Sequence, residues 1–201
     1  MPTNWIKKRK KDEFYKKAKS EKLSSRAAFK LLEMKNFGIF SKDIKVAIDI
    51  CAHPGSWIEV LLREIPNIEL IIGIDIQNIK LNSPKVIFIK GDISNEELKT
   101  KIDEILGNKF ADLVVSDCSP KLSGDKYLDH NRQLYLAEKS LELALIYLKS
   151  KGNAVFKFFQ GINENEFITK VKKEFIKIKR FKPKSSLKSS SEMYLIGFQK
   201  R

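Results

Sequence analysis

The stretch 46–57, VAIDICAHPGSW, constrains this chain more than any other. Apolar and β-branched residues run into Asp49 and Ile50. A turn of small residues with Pro54-Gly55 follows, and an amphipathic run then opens at Trp57 and reaches Glu64. The pattern predicts a buried strand, a tight loop and the start of a helix. Such a junction lets a ligand approach bare backbone, and the helix start supplies unpaired N–H groups. Downstream the same alternation recurs. Short apolar runs at 70–74, 86–89, 113–115 and 154–159 predict strands covered on both faces. Between them, helical periodicity covers 57–64, 96–106 and 131–149. The last is clearest, with Leu134, Ala137, Leu141, Ala144, Leu145 and Leu148 on one stripe and Lys151-Gly152-Asn153 marking its end. Before the first strand, Ser24-Ser25 offers an N-cap to a helix carrying Ala27, Leu31 and Met34, which ends near Asn36 or Gly38. A helix over 164–175 leads to two closing strands, about 176–181 and 193–198, joined by an exposed Lys/Ser loop at 182–191. Alternating β and α segments predict an α/β, Rossmann-like fold, a mostly parallel sheet with helices on both faces. The chain divides into a basic N-terminal arm, 1–22, and one domain, 23–201, with no internal repeat.

Length and composition close off several classes. The chain's 201 residues suffice for one well-cored domain. No apolar run approaches the roughly 18–20 residues needed to cross a bilayer, so no membrane partner is expected. The lysine-rich N-terminus lacks an apolar stretch and does not read as a secretory signal. Two cysteines, Cys51 and Cys118, are too few for a disulfide framework or a zinc site, which makes a reducing cytoplasm the expected location. His53 and His130 have no metal-ligand partner at workable spacing and read as loop residues; no metal is expected.

Charge is unevenly placed. The net charge is +14. Residues 1–35 hold 12 lysines and arginines against 4 acids, and residues 170–190 hold 9 against 1. Two basic segments, each +8, thus flank a core of −2. A biased genome or a hot habitat would spread lysine among matching glutamates. Segregation points instead to a polyanion, most simply a nucleic acid.

Ligands of open parallel sheets bind beyond the carboxyl ends of the strands. There the sequence places Asp49, Asp75 (within GIDIQ), Asp92 after Gly91, Asp117 (within SDCSP) and Lys157. Asp75 lies 20 residues beyond Gly55, the spacing of an acid that grips a ribose diol. The loop lacks GxGxxG, so a dinucleotide pyrophosphate, and with it an NAD-dependent enzyme, is poorly served. A dense acidic edge suits a ligand with positive charge and no phosphate, such as S-adenosyl-L-methionine. Lys157 interrupts the apolar run AVFKFF. A lysine inside a buried strand is costly unless paired, and Asp117 at the end of the neighbouring strand is the natural partner. A lysine so held can serve as a base.

Four blocks, SSRAAFKLLE, DICAHPGSW, VVSDCSPKLSG and VFKFFQG, with KPKSSLKSSSEMYLI as a fifth, resemble the RrmJ/FtsJ family of ribose 2′-O-methyltransferases over about nine tenths of the chain. The resemblance implies a seven-stranded methyltransferase sheet with the last strand antiparallel. It implies a catalytic set at Lys30, Asp117, Lys157 and Glu192. It also implies that Gly55, Trp57, Asp75, Asp92 and Asp117 bind S-adenosyl-L-methionine, beside the strand-end acid Asp49. The expected product is ribose-methylated RNA, most simply at a uridine of large-subunit (23S-type) ribosomal RNA, made by a cytoplasmic monomer. The alternatives are the tRNA anticodon loop as substrate, and a non-catalytic RNA-binding or ribosome assembly factor. Where the family has DLGAAPGGW, this chain carries Cys51, His53 and Ser56, side chains at points of expected close backbone approach.

Overall fold

The computed structural model describes residues 12–187 and 189–201. Seven strands form one sheet: β1 (Val46–Ile50), β2 (Leu70–Asp75), β3 (Val86–Lys90), β4 (Ala111–Ser116), β5 (Leu148–Phe159), β6 (Phe175–Phe181) and β7 (Glu192–Lys200). Their order is β3-β2-β1-β4-β5-β7-β6. The first five pair in parallel, and β7 runs antiparallel between β5 and β6. The expected seven-stranded sheet with an antiparallel last strand is therefore observed. Helices are α1 (Glu13–Ser20), α2 (Ala28–Met34), α3 (Ser56–Glu64), α4 (Glu97–Leu106), α5 (Lys126–Tyr147) and α6 (Glu164–Glu174).

Strand periodicity of two assigns alternate residues to opposite faces. Ile48, Ile50, Ile72, Ile74 and Phe156 pack under α4, α5 and α6 with Leu98, Ala137 and Phe167. Ala47, Ile71, Val115, Val155 and Tyr194 pack under α2 and α3 with Leu31, Trp57 and Leu61. Each buried Ile, Val, Leu or Phe among them contributes about 1.5–3 kcal/mol by leaving water. Gly73 lets α3 lie close on β2, because a Cβ there would meet Ile58 Cδ1 at 2.8 Å. The same period puts Asp49, Asp75 and Lys157 on the α2/α3 face, at the carboxyl ends of their strands.

Several boundaries differ from expectation for identifiable reasons. Helix α5 starts at Lys126, not 131, because Asp125 caps it by accepting from the N–H groups of Tyr127 and Leu128. Its first turn exposes Tyr127 and Leu128, so the apolar stripe gives no sign of it. The helix ends at Tyr147, and β5 begins at Leu148, six residues early; Lys200 Nζ donates to the carbonyls of Leu145 and Leu148 at this junction. Ser24 and Ser25 do not provide the N-cap of α2, which is Ala27 without a side-chain bond. They tie α2 to α3 instead: Ser24 bonds to Glu59 through its N–H and hydroxyl, and the Ser25 hydroxyl donates to Ser56 Oγ. Within the arm, residues 13–20 are helical, with Phe14 against Phe29 at 5.7 Å. Trp5 and Ile6, read as apolar anchors, lie outside the described residues.

The cysteines are also a correction, since Cys51 and Cys118 form a disulfide. Parallel pairing sets Ile50 opposite Ser116, so the residues leaving both strands are neighbours, with Cα atoms 5.0 Å apart. No cysteine spacing reveals a contact made by strand pairing across 67 residues. A cross-link closing a loop of that length stabilises by about 4 kcal/mol in the chain-entropy account. Reduction with a dithiol should lower the denaturant midpoint by a corresponding amount, while Cys51→Ser/Cys118→Ser should be insensitive to reductant.

Candidate active site

The site is assembled by elements distant in sequence. Helix α2 delivers Lys30, the end of β4 delivers Asp117, β5 delivers Lys157, and β7 delivers Glu192, which pairs across the ladder with Phe159. Lys30 Nζ lies 3.0 Å from Glu192 Oε2 and 3.7 Å from Asp117 Oδ1. Lys157 Nζ lies 3.2 Å from Asp117 Oδ1 and 3.6 Å from Glu192 Oε2. Two amines and two carboxylates thus alternate around a closed ring. Lys30, Lys157 and Glu192 are each below 10% exposed.

Burial sets the protonation states against pairing. Burial alone would raise the Asp117 carboxyl, but Lys157, Lys30 and a hydrogen bond from Tyr194 outweigh it and hold it below the usual range. Glu192 is likewise lowered, burial being outweighed by Lys30 and Lys157. Burial would lower Lys30, yet Asp117 and Glu192 together raise it. Lys30 is therefore a fixed cation.

Tyr194 was not among the residues singled out from sequence. Its hydroxyl donates to Asp117 Oδ1 at 2.5 Å. Burial, with Asp117 and Glu192 nearby, pushes the phenol well above its ordinary pKa, so it stays a donor. Its signal was its position two residues beyond Glu192, on the same face of β7. Gln133 was also missed. From α5 it donates to the carbonyls of Cys118 and Lys157, clamping β4 and β5 side by side behind the ring.

The 52–57 turn works mainly through support. Gly55 adopts φ 112°, a left-handed conformation that side chains rarely take, and precedes α3 as its N-cap. The Trp57 side chain turns inward. The indole N–H donates to the Ala27 carbonyl and the ring packs 5.9 Å from Tyr194, so it positions α2 and with it Lys30. Each departure from the family loop is accommodated. Cys51 takes a left-handed φ of 63° and turns its sulfur to Cys118; His53 Nδ1 meets the Asn78 carbonyl; Ser56 is buried against Ser25. His130, read as a loop residue, is instead buried in α5. Among the described residues no group of His, Cys, Asp and Glu side chains could hold a metal ion.

Beside the ring, at the ends of β1 to β4, lies a cavity of about 550 Å³. Ile76, Ile93, Tyr135 and Leu136 supply apolar walls, and Asp75 and Asp92 supply acids. Asp75 is oriented by the N–H groups of His53 and Gln77, and Asp92 by that of Ser94. Asp49 does not line this cavity. It is wholly buried between the strands bearing Asp75 and Asp117, and neither of its oxygens has a hydrogen-bond partner among the described residues.

The open α/β sheet thus carries an apolar, acid-edged cavity and a recessed charged ring together at its strand ends. Sequence comparison supplies the class. The pattern of the FtsJ-like methyltransferase family matches residues 23–200. The chain is 40% identical over 200 residues to the ribosomal RNA large subunit methyltransferase E of Methanothermobacter thermautotrophicus, covering 98% of this chain and 93% of that protein. It is 38% identical to the enzyme of the same name from Rickettsia akari, covering 98% and 88%. A crystal structure described as a ribosomal RNA methyltransferase from Plasmodium falciparum superposes with TM-score 0.77 at 32% identity, covering 88% of this chain and 99% of that one. The chain belongs to the FtsJ-like methyltransferase family.

The isolated acid gives a test. Burial first, then Asp117 and Asp75, raise the Asp49 pKa well above its ordinary value. Between the two values the unfolded chain releases the proton and the folded chain keeps it, so stability falls as pH rises. Asp49→Asn removes this titration. Its stability relative to the wild type should therefore climb steadily from about pH 4 upward, as read from urea unfolding across pH; a difference that does not change with pH would contradict the assignment.

Proposed function

We propose that the protein transfers a methyl group from S-adenosyl-L-methionine to a ribose 2′-hydroxyl of RNA, in large-subunit ribosomal RNA. The observation that carries this is the alternating ring of Lys30, Asp117, Lys157 and Glu192, recessed beside an acid-edged cavity. The cavity suits the donor. Its volume is that of a pocket for a drug-sized ligand. Ile76, Ile93 and Leu136 offer a slot for a base, Asp75 stands at the ribose spacing, and the acids Asp75 and Asp92 favour a cationic ligand.

When bound, the donor supplies a methyl already activated by its sulfonium, so no metal is needed to make a leaving group. The residues of the chain deal with the hydroxyl. Lys157 Nζ, in its neutral form, accepts the hydroxyl proton as the oxygen–carbon bond forms and the carbon–sulfur bond breaks. Asp117, held by Tyr194, orients that amine. Lys30, a fixed cation, steadies the developing negative charge on oxygen, and Glu192 balances both amines. Much of the rate comes from holding oxygen, carbon and sulfur in line. RNA is the acceptor because only RNA has a 2′-hydroxyl.

Tertiary structure joins the two basic segments. Glu33 on α2 accepts from the N–H groups of Lys184 and Ser185, and the Arg26 guanidinium bonds to the Ser185 carbonyl. Helix α1 and the β6–β7 loop therefore wall one groove, with Lys17, Arg63, Lys182 and Lys184 along it beside the acids Glu21 and Glu33. The lysines of this groove support a role in phosphate contact.

Mass-spectrometric mapping of ribose methylation, after treating large-subunit ribosomal RNA and bulk tRNA with pure protein, tests the reading; methyl groups are expected in the ribosomal RNA alone. Lys157→Ala should abolish transfer while calorimetry shows donor binding nearly unchanged, and wild-type-like turnover would sink the role of Lys157. RNA affinity should fall steeply with salt, and Lys17→Ala/Lys184→Ala should flatten the log–log slope by about 1.5.

A further inference from the structure

Methyl transfer needs room for two reactants, and the structure has a second cavity beside the ring. It measures about 620 Å³ and lies at the carboxyl end of β5, against the start of β7. The two cavities are divided by the loop after β4: Ser119, Pro120 and Lys121 face the first and Leu122 faces the second. Phe159, on its wall, is the cross-strand neighbour of Glu192 and lies two residues beyond Lys157 on the same strand face. Through Phe159 and Ser191 the second cavity therefore borders the Glu192 corner of the ring, and it shares no lining residue with the donor cavity.

Buried polar groups hold this cavity in shape. Asp129, 7% exposed, accepts from the N–H and hydroxyl of Ser123 and from the N–H of Gly124, fixing one lip. His130, 7% exposed, bonds through Nε2 to the Ile162 carbonyl, fixing a second. Gly161 permits this, since a Cβ there would stand 2.9 Å from the imidazole. The third lip is tied down where the Gln160 N–H donates to the Ser191 carbonyl. Onto this rigid frame the chain places large apolar groups in water: Leu122 is 62%, Tyr127 64% and Ile162 66% exposed. A fold does not need such a cluster, and clusters of this kind mark binding surfaces. Lys126 stands at the same rim.

The ring itself is recessed, with Lys157 only 6% exposed. A ribose stacked within a paired helix cannot bring its hydroxyl down to that amine. The nucleotide has to leave its stack, and an unstacked base regains what it lost by lying on an aromatic face. We propose that the cavity walled by Tyr127, Phe159 and Ile162 seats the base of a flipped-out acceptor ribonucleotide, stacked on Tyr127. This rests on the methyl-transfer reading above and adds to it that the acceptor is an unpaired or extruded nucleotide, held in a different cavity from the donor.

Steady-state transfer to an unmodified transcript of large-subunit ribosomal RNA, with donor binding followed by calorimetry, separates the two cavities. Tyr127→Ala, a surface change that leaves the core intact, should raise the KM for RNA about 5- to 150-fold, the range for loss of one base–aromatic stack. Its donor Kd should not move. Tyr127→Phe should behave as wild type, because the ring and not the hydroxyl is required. Tyr135→Ala, in the other cavity, should do the reverse, weakening the donor and sparing the KM for RNA. An unchanged KM for RNA in Tyr127→Ala, or an equal loss of donor affinity, overturns the proposal. A wild-type protein that binds no donor and methylates no RNA would instead overturn the reading on which it stands.

Discussion

Lys30, Asp117, Lys157 and Glu192 place two amines and two carboxylates out of water within about one hydrogen bond of each other, and the molecule is arranged to keep them so. Removing one partner from a buried ionic group leaves an uncompensated charge, which costs several kcal/mol. The ring therefore persists only if α2, β4, β5 and β7 hold their relative positions closely. Trp57 fixes α2 through the Ala27 carbonyl, Gln133 fixes β4 to β5, and Tyr194 fixes Asp117. These three residues touch the ring or its backbone supports, and each comes from a different element.

The same economy appears in the loops. Antiparallel β7 slots between β5 and β6, and that insertion brings Glu192 beside Phe159 and Tyr194 beside Lys157. A purely parallel edge would present the opposite strand end here. The β6–β7 loop then folds back onto Glu33 and Arg26, so one connection both closes the sheet and aligns its lysines with those of α1. The exposed edge strand β6 carries Lys177, Lys179 and Arg180, charges that also discourage edge-to-edge pairing.

Much of this was legible in the chain. The strands at 46–50, 70–74 and 86–89 show as short apolar runs because both their faces are covered. Lys157 stood out because a lysine within such a run demands a partner. Asp75 and Asp117 were readable as strand-end acids. Tyr194 and Gln133 were not, because a tyrosine in a strand and a glutamine on a helix are ordinary until their neighbours are known. The start of helix α5 is legible only from residue 131, five residues late, because its first turn faces water and has no apolar stripe. The disulfide was unreadable because its two cysteines meet through strand pairing, not through spacing.

The sequence by itself determined the elements and their order, since period-two and period-3.6 apolar patterns are local properties, and it determined which side chains would be costly to bury alone. Only the tertiary structure decided which of those side chains meet. It brought residues 30, 117, 157 and 192 into one ring, turned Trp57 into the core, joined two basic segments into a single groove and opened a second cavity beside the first. Such contacts follow from how a twisted sheet packs its helices and in which direction its last strand runs. Those are properties of the packed whole, which no local pattern encodes.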